Sequence, residues 1–200
     1  MAGQRPAGPP LRAVRILDAL TRHGVRYIAV GSYPAIVQGV DLPMTDLDIV
    51  PVADSENERR LVEVLEELDA RERLGDTTEP IDDLLANPES IADTTLRTFD
   101  TKYGELDVVL RPAGFPRGYD DLVANVVVAT LQDEADPAIK VDAVLASVDD
   151  IYESKRQAGR PKDIDGLPAF GTTHRANTND SVRARYRADL ARREKQGESS

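Results

Sequence analysis

The sequence predicts an α/β (α+β) protein built on a mixed β-sheet with a helical C-terminal extension. Short apolar runs typical of strands alternate along the chain with segments whose apolar residues recur at helical spacing. Two β-rich runs flank residues 101–104, which indicates an antiparallel hairpin and therefore a sheet that is not purely parallel. A length of 200 residues fits one domain with an appendage.

The predicted helices begin and end at capping signals. Leu17 and Leu20 belong to the apolar stripe of the first helix, and Gly24 follows it as a C-cap. Ser55 and Glu58 fit a capping box at the start of the next long helix. The predicted helices are residues 11–23, 33–38, 55–68, 119–125, 147–157 and 163–170, with a short one near 81–86 and a basic helical segment at 181–195.

The predicted strands are β-branched or apolar runs bounded by turn residues. Gly31 follows one such run and Pro51 closes another. The polar stretch 71–88 is predicted to be a loop around the short helix, either a lid or a surface insertion. The predicted strands are residues 27–30, 47–50, 94–100, 105–111, 126–131 and 139–145.

The composition excludes several kinds of site. The chain has no Cys, which rules out disulfide bonds, thiolate nucleophiles and Cys-based zinc sites, and two His residues leave little for imidazole chemistry. Any metal is therefore expected on oxygen ligands. The sequence has neither a signal-peptide core nor an apolar window long enough for a membrane span, so we expect a cytoplasmic protein with no membrane partner.

The net charge of −11 is distributed unevenly along the chain. With Lys and Arg counted as +1 and Asp and Glu as −1, residues 1–40 carry +4, residues 41–153 carry −20 and residues 154–200 carry +5. A large anionic partner is therefore expected to approach the terminal parts and to avoid the middle unless metal cations neutralise it. The expected organisation is a flexible leader at residues 1–10, a core at 11–145 and a helical C-terminal part with a basic tail at 146–200.

The strongest indication of chemistry is a set of aspartates. Asp46 and Asp48 are two residues apart at the start of an apolar strand, so their carboxylates point to the same face and repel each other unless a cation lies between them. Asp107 interrupts another apolar run, where an unpaired buried charge is costly. Three carboxylates on neighbouring strands suit Mg²⁺ and the two-metal chemistry of in-line displacement at phosphorus. The alternative is a solvated strand edge in an acidic protein.

Gly31 and Ser32 directly follow a predicted strand and open a predicted helix. Backbone N–H groups and a hydroxyl at the positive end of a helix are suited to phosphate oxygens. Ser is also a common N-cap, so the pair alone has a purely structural explanation. The order of strand, Gly-Ser turn, helix, Asp-x-Asp strand and later acidic strand favours nucleotide binding.

In this order the motifs resemble those of the nucleotidyltransferase superfamily, which has the polymerase-β-like fold. They are most similar to the AbiEii/MenT-type nucleotidyltransferase toxins of bacterial toxin–antitoxin pairs and their relatives. The resemblance spans residues 11–168 and implies a mixed-sheet nucleotidyltransferase fold. The residues that carry it are Val30-Gly-Ser32, Thr45-Asp-Leu-Asp-Ile-Val-Pro51, Leu106-Asp-Val108 and Ser154-Lys-Arg-Gln-Ala-Gly-Arg-Pro-Lys-Asp163.

The resemblance implies a role for each matching residue. Asp46, Asp48 and Asp107 match the catalytic carboxylates that bind Mg²⁺ or Mn²⁺. Gly31 and Ser32 match the turn that binds the nucleotide phosphates.

The C-terminal motif adds three further site residues. Lys155 matches the helix lysine near the triphosphate, where its ammonium neutralises phosphate charge. Asp163 matches the acidic residue of the terminal Lys-Asp motif and is predicted to be catalytic, and Arg160 is predicted to bind nucleotide. The alternatives are a solvated lysine on an amphipathic helix and a Gly-Arg-Pro segment that only stops the helix.

The activity implied is transfer of NMP from an NTP to an acceptor hydroxyl. By resemblance the acceptor is the 3′ end of tRNA, and the protein is a toxin with a cognate antitoxin. Two alternatives stay open. One is a nucleotidyltransferase that acts on a small molecule or a protein, and the other is a non-catalytic nucleotide-binding or partner-binding module of the same fold.

Overall fold

The computed structural model of the chain describes residues 9–172. Helices and strands alternate along this part of the chain, which confirms the predicted α/β class. The helices are α1 (Ala13–Arg22), α2 (Ser32–Val37), α3 (Ser55–Glu67), α4 (Asp82–Ala86), α5 (Tyr119–Leu122), α6 (Val148–Ala158) and α7 (Pro161–Gly166), with 3₁₀ turns at Pro88–Asp93, Val123–Asn125 and Leu167–Thr172.

All the strands of the described residues join one mixed sheet. The strands are β1 (Tyr27–Val30), β2 (Asp46–Pro51), β3 (Arg71–Leu74), β4 (Thr77–Pro80), β5 (Leu96–Thr101), β6 (Gly104–Val109), β7 (Val127–Gln132) and β8 (Lys140–Leu145). Their order across the sheet is β4-β3-β5-β6-β2-β1-β8-β7. The pairs β2/β6 and β1/β8 are parallel and the remaining pairs are antiparallel.

One face of the sheet is covered by helices α1 and α3 over its central strands. Leu17 of α1 and Leu65 of α3 are completely buried there, in one core with Leu47, Ile49 and Leu106 from the central strands. The apolar stripes of α1 and α3 form because their apolar side chains recur every three or four residues. Burial of these two apolar stripes against the sheet stabilises the fold through the hydrophobic effect.

The opposite face is covered only in part. Ala35 of α2, Leu122 of α5 and Ile151 of α6 pack there in a second core against Ile28 and Val30 of β1. The helices leave the neighbouring part of this face, over β2 and β6, open. Since successive side chains of a strand point to opposite faces, the residues of β2 between its core-facing positions point into this opening.

The stretch 71–88 was predicted to be a loop, and this prediction is wrong. It contains a β-hairpin, β3–β4, whose first strand pairs with β5 and extends the sheet. The polar composition concealed these strands because they lie at an edge of the sheet, where most of their side chains are exposed. The short helix expected near residues 81–86 is present as α4.

The C-terminal part differs from the prediction in one further element. The helix expected over residues 163–170 is α7 followed by a 3₁₀ turn, and α7 starts at Pro161 because proline is well suited to the first turn of a helix. Residues 1–8 of the predicted leader and the predicted basic helix at 181–195 lie outside the described residues. Within residues 9–172, every helix is too short or too polar to cross a bilayer.

The side chain of Asn57 anchors the start of α3 to the strands beneath it. Asn57 is completely buried. Its Oδ1 accepts a hydrogen bond of 2.7 Å from the backbone N–H of Arg26, and its Nδ2 donates to the carbonyl oxygens of Arg26 at 3.0 Å and Val52 at 2.9 Å. These bonds join the segment that enters β1 to the segment that leaves β2.

We expect Asn57→Ala to lower the free energy of unfolding by about 2–4 kcal/mol, because the N–H of Arg26 and the carbonyl oxygen of Val52 lose their partners and each such group costs ~1–3 kcal/mol. The carbonyl oxygen of Arg26 keeps its bond from the N–H of Val52. Urea denaturation measures the loss. Asn125→Ala, at an exposed position, is the matched control. Equal stability of the two variants would contradict the anchoring role of Asn57.

Candidate functional site

Four carboxylates form the floor of the opening over β2 and β6. These strands run parallel, with Asp46 opposite Glu105 and Asp48 opposite Asp107. Side chains two residues apart in a strand share a face, so the register brings the four carboxylates together as two adjacent pairs. We call Asp46, Asp48, Glu105 and Asp107 the carboxylate floor.

The donor set of the floor fits a hard divalent cation. Carboxylate oxygens of Asp46, Glu105 and Asp107 lie within 4.8 Å of one another. Oδ1 of Asp107 is buried and has no hydrogen-bond partner among the described residues, and such an atom is costly unless a ligand satisfies it. Oxygen-only donors of this type match Mg²⁺ or Mn²⁺.

Burial and neighbouring charges raise the pKa of two carboxylates of the floor, Asp48 and Asp107. Burial is the main reason why the pKa of Asp48 rises to about 7, and the charges of Asp46 and Asp107 raise it further while that of Lys155 lowers it. Burial also raises the pKa of Asp107 to about 6, against the hydrogen bond from Thr98. Without a cation, the folded protein therefore holds protons on the floor that an isolated carboxylate would lose.

Gly31 brings its backbone against the floor. It has φ +76° and ψ −150°, a combination that is essentially restricted to glycine. A Cβ added to Gly31 would lie 2.0 Å from Oδ2 of Asp48. Only a residue without a side chain lets the turn after β1 approach the carboxylate this closely.

Cationic groups line the side of the site formed by α6 and α7. Nζ of Lys155 lies 3.5 Å from Oγ of Ser32 and 3.3 Å from Oδ1 of Asp163, and Nε of Arg160 donates to Oδ2 of Asp163 at 2.5 Å. Ser32 is the first residue of α2 and its hydroxyl does not cap that helix. The Lys155–Ser32 contact therefore crosses between α6 and α2 and places an ammonium beside the Gly-Ser turn.

Asp163 is buried against these two cations. Its side chain is 0% exposed, and its partners are Lys155 and Arg160. Burial by itself would raise the pKa of Asp163, but the bond and charge of Arg160, together with Lys155, outweigh it and lower the pKa. These contacts suit a residue that orients two cations, and the catalytic role of Asp163 stays a prediction.

Three carboxylates of the floor, those of Asp46, Asp48 and Asp107, and the cationic side border a single cleft of about 500 Å³. This volume is within the range of ligand sites, ~300–1,000 Å³. The cleft thus combines carboxylates that attract metal ions with cations that attract phosphate. All the site residues predicted from the sequence line it, namely Gly31, Ser32, Asp46, Asp48, Asp107, Lys155, Arg160 and Asp163.

Three residues near the cleft were missed by the sequence analysis. Glu105 was detectable, because it precedes Asp107 by two residues in the same strand and must share its face. Arg73, which forms ion pairs with Glu105 and Asp100, comes from β3 in the stretch predicted to be a loop. Arg111 lines the cleft just after β6, and no local pattern marks it.

Comparisons with known proteins assign no function to this site. A comparison with protein-family models and a search of curated proteins both found no match. Functional interpretation therefore depends on the motifs and on the geometry of the cleft.

We expect Gly31→Ala to destabilise the protein and to impair Mg²⁺ binding. Backbone strain costs ~1–3 kcal/mol, and the new Cβ must also displace the carboxylate of Asp48. Gly39→Ala is the matched control, because Gly39 also has positive φ, +93°, but a Cβ there meets no atom within 4 Å. Urea denaturation and Mg²⁺ titration calorimetry measure both effects. Wild-type Mg²⁺ affinity in Gly31→Ala would contradict the close contact.

We expect Asp48→Asn to stabilise the metal-free protein more at pH 8 than at pH 5. The pKa of Asp48 is about 7 in the folded protein, against 3.8 for the ordinary group, so the wild type loses stability as pH rises through this interval. Asn has no titratable carboxyl group, so the Asp48→Asn variant does not lose this stability as the pH rises. Thermal unfolding in EDTA detects the gain, since ~1 kcal/mol shifts Tm by ~2–4 °C in a domain of this size.

Asp142→Asn, at an exposed position of β8, is the control for the pH experiment. Added Mg²⁺ is expected to stabilise the wild type more at pH 8 than at pH 5, because the ligands must be deprotonated to bind it. A gain in Asp48→Asn that does not change with pH would contradict the shifted pKa.

Proposed function

We propose that this protein is an Mg²⁺-dependent nucleotidyltransferase that transfers NMP from an NTP to an acceptor hydroxyl. The observation that carries the proposal is the convergence of Asp46, Asp48 and Asp107 with the Gly31-Ser32 turn and Lys155 on one cleft. A purely structural acidic cluster would be expected to have its oxygens satisfied within the protein, whereas Oδ1 of Asp107 has no partner in the described residues.

The residues of the chain have separate roles in this proposal. Asp46, Asp48 and Asp107 hold divalent cations, which when bound supply charge neutralisation for in-line displacement at phosphorus. Lys155 and the hydroxyl of Ser32 contact phosphate oxygens of the NTP. The absence of a side chain at Gly31 lets the phosphates lie close to the floor.

The reaction forms one bond and breaks another. The acceptor oxygen bonds to the α-phosphorus, and the bond from that phosphorus to the bridging oxygen of the β-phosphate breaks. Pyrophosphate leaves, and the hydroxyl proton passes to a carboxylate of the floor. Lys155 and Arg160 stabilise the charge of the leaving phosphates, because ammonium and guanidinium groups bind phosphate oxygens strongly.

The acceptor and the biological role belong to the same proposal. By the resemblance of the motifs, the acceptor is the 3′ end of tRNA and the protein is a toxin controlled by an antitoxin. A small-molecule or protein acceptor uses the same chemistry. A module that only binds nucleotide is the weaker alternative, because it needs no unsatisfied carboxylate beside the phosphate turn.

We expect Asp107→Asn to lower transfer by more than about a hundredfold. Loss of groups that only support a metal ligand already costs ~10–100-fold, and Asp107 is proposed to be a ligand itself. The assay incubates each α-labelled NTP with total RNA and protein, then separates RNA, protein and small molecules. Asp142→Asn, outside the cleft, is expected to keep full activity.

The fraction that carries the label identifies the acceptor class. Label in the RNA fraction supports the tRNA proposal, and label in protein or small molecules replaces it with the corresponding acceptor. Label in no fraction, together with NTP binding that does not depend on Mg²⁺, would refute transfer in favour of a binding module.

A further inference from the structure

Arg111 differs from every other arginine in residues 9–172. Its guanidinium has no hydrogen bond or ion pair within that range, whereas each of the others donates to a carboxylate or a carbonyl. The isolation of Arg111 is not caused by a shortage of carboxylates, because Asp and Glu number 36 against 25 Lys and Arg. Arg111 is exposed and lines the cleft.

The backbone around Arg111 is held firmly although its side chain is free. The N–H of Leu110 donates to the carbonyl oxygen of Thr95 at 2.9 Å, and the N–H of Phe115 donates to that of Pro112 at 3.0 Å. Gly118 packs so closely that a Cβ there would lie 2.1 Å from the oxygen of Leu110. A fixed backbone with a free guanidinium is suited to receive an anionic ligand.

Arg111 and the nucleotide-binding turn lie toward opposite ends of the floor. Val30 is opposite Asp48 in the antiparallel pair β1/β2, so Ser32 follows toward the Asp46 end of β2. β6 runs parallel to β2, and Arg111 comes four residues after Asp107, beyond the other end. At ~3.3 Å per residue its Cα lies at most ~13 Å from that of Asp107.

An apolar surface lies between the floor and Arg111. Leu96 and Val109 are cross-strand partners in β5 and β6, and both line the cleft. Leu96 is 49% exposed, so its side chain is accessible to a ligand in the cleft. From the floor outward, the cleft therefore presents carboxylates, then an apolar contact surface, then a guanidinium.

We infer that Arg111 binds a phosphate of the acceptor, and hence that the acceptor is a phosphorylated, nucleotide-like molecule whose ring rests on Leu96 and Val109. The inference deepens the proposed function and depends on it for the position of the NTP. The shared chemistry is a ribose hydroxyl with a nearby phosphate ester. An RNA 3′ end and a free nucleoside monophosphate both supply it.

The test compares Arg111→Ala with Lys140→Ala. Lys140 is an exposed lysine of β8 that also has no partner within the described residues and lies outside the cleft, so both variants remove one uncompensated positive charge. Steady-state transfer is measured with three acceptors: a short RNA, a nucleoside monophosphate and the same nucleoside without phosphate. Calorimetry measures binding of the Mg²⁺–NTP complex without acceptor.

We expect Arg111→Ala to raise the acceptor KM by about tenfold to a hundredfold, which is the usual cost of losing a hydrogen bond to a charged group. NTP affinity and kcat are expected to stay unchanged, and Lys140→Ala to match the wild type. The defect should appear with each phosphorylated acceptor that the enzyme accepts and disappear with the nucleoside. With RNA, log affinity decreases as log salt concentration increases, and the magnitude of this slope should be smaller by ~0.7 in Arg111→Ala than in the wild type.

Three results would overturn the inference. They are an Arg111→Ala defect confined to NTP binding, a defect of equal size with the unphosphorylated nucleoside, and behaviour equal to that of Lys140→Ala. Failure of the proposed function is distinguishable, because the wild type then transfers nothing. In that case binding of 5′-labelled RNA, measured by fluorescence anisotropy with Mg²⁺, still decides whether Arg111 contacts acceptor phosphate.

Discussion

Electrostatic repulsion within the carboxylate floor is the constraint on which the remainder of the site depends. Four acidic side chains share one face of two adjacent strands because β2 and β6 pair in parallel. In water such groups would be ionised and separated, but here partial burial and mutual repulsion raise the pKa of Asp48 and Asp107. The fold keeps this arrangement because the opposite side chains of the same strands fill the main core.

Cationic side chains offset the negative charge of some carboxylates of the floor but not of others. Arg73 pairs with Glu105 from the sheet extension, and Lys155 and Arg160 are bound to the buried Asp163. Oδ1 of Asp107 receives no such compensation within the described residues. The protein thus neutralises part of the floor with its own side chains. In the proposed function a divalent cation neutralises the remaining charge, and Lys155 and Arg160 bind phosphate.

The sequence was sufficient to predict the elements whose pattern is local. The alternation of β2 and its Asp-x-Asp pair, the hairpin β5–β6 and the capped helix α6 all follow from short-range signals. β3 and β4 were missed because strands at the edge of a sheet need little apolar sequence. β3 is stabilised by pairing with β5, which is distant in the chain, and β4 by pairing with β3. The partnership of Arg73 with Glu105 could not be predicted for the same reason, since it depends on that pairing.

The acidic side chains of β2 and β6 also disfavour pairing of these strands in a shifted register. A slip of either strand by one residue would turn its acidic side chains into the helix-covered core and expose its leucines and isoleucines to solvent. Ionised carboxylates in that core would cost far more than the repulsion they experience in the native arrangement. The same charges therefore make the nearest misaligned pairings of β2 and β6 much less stable than the native pairing.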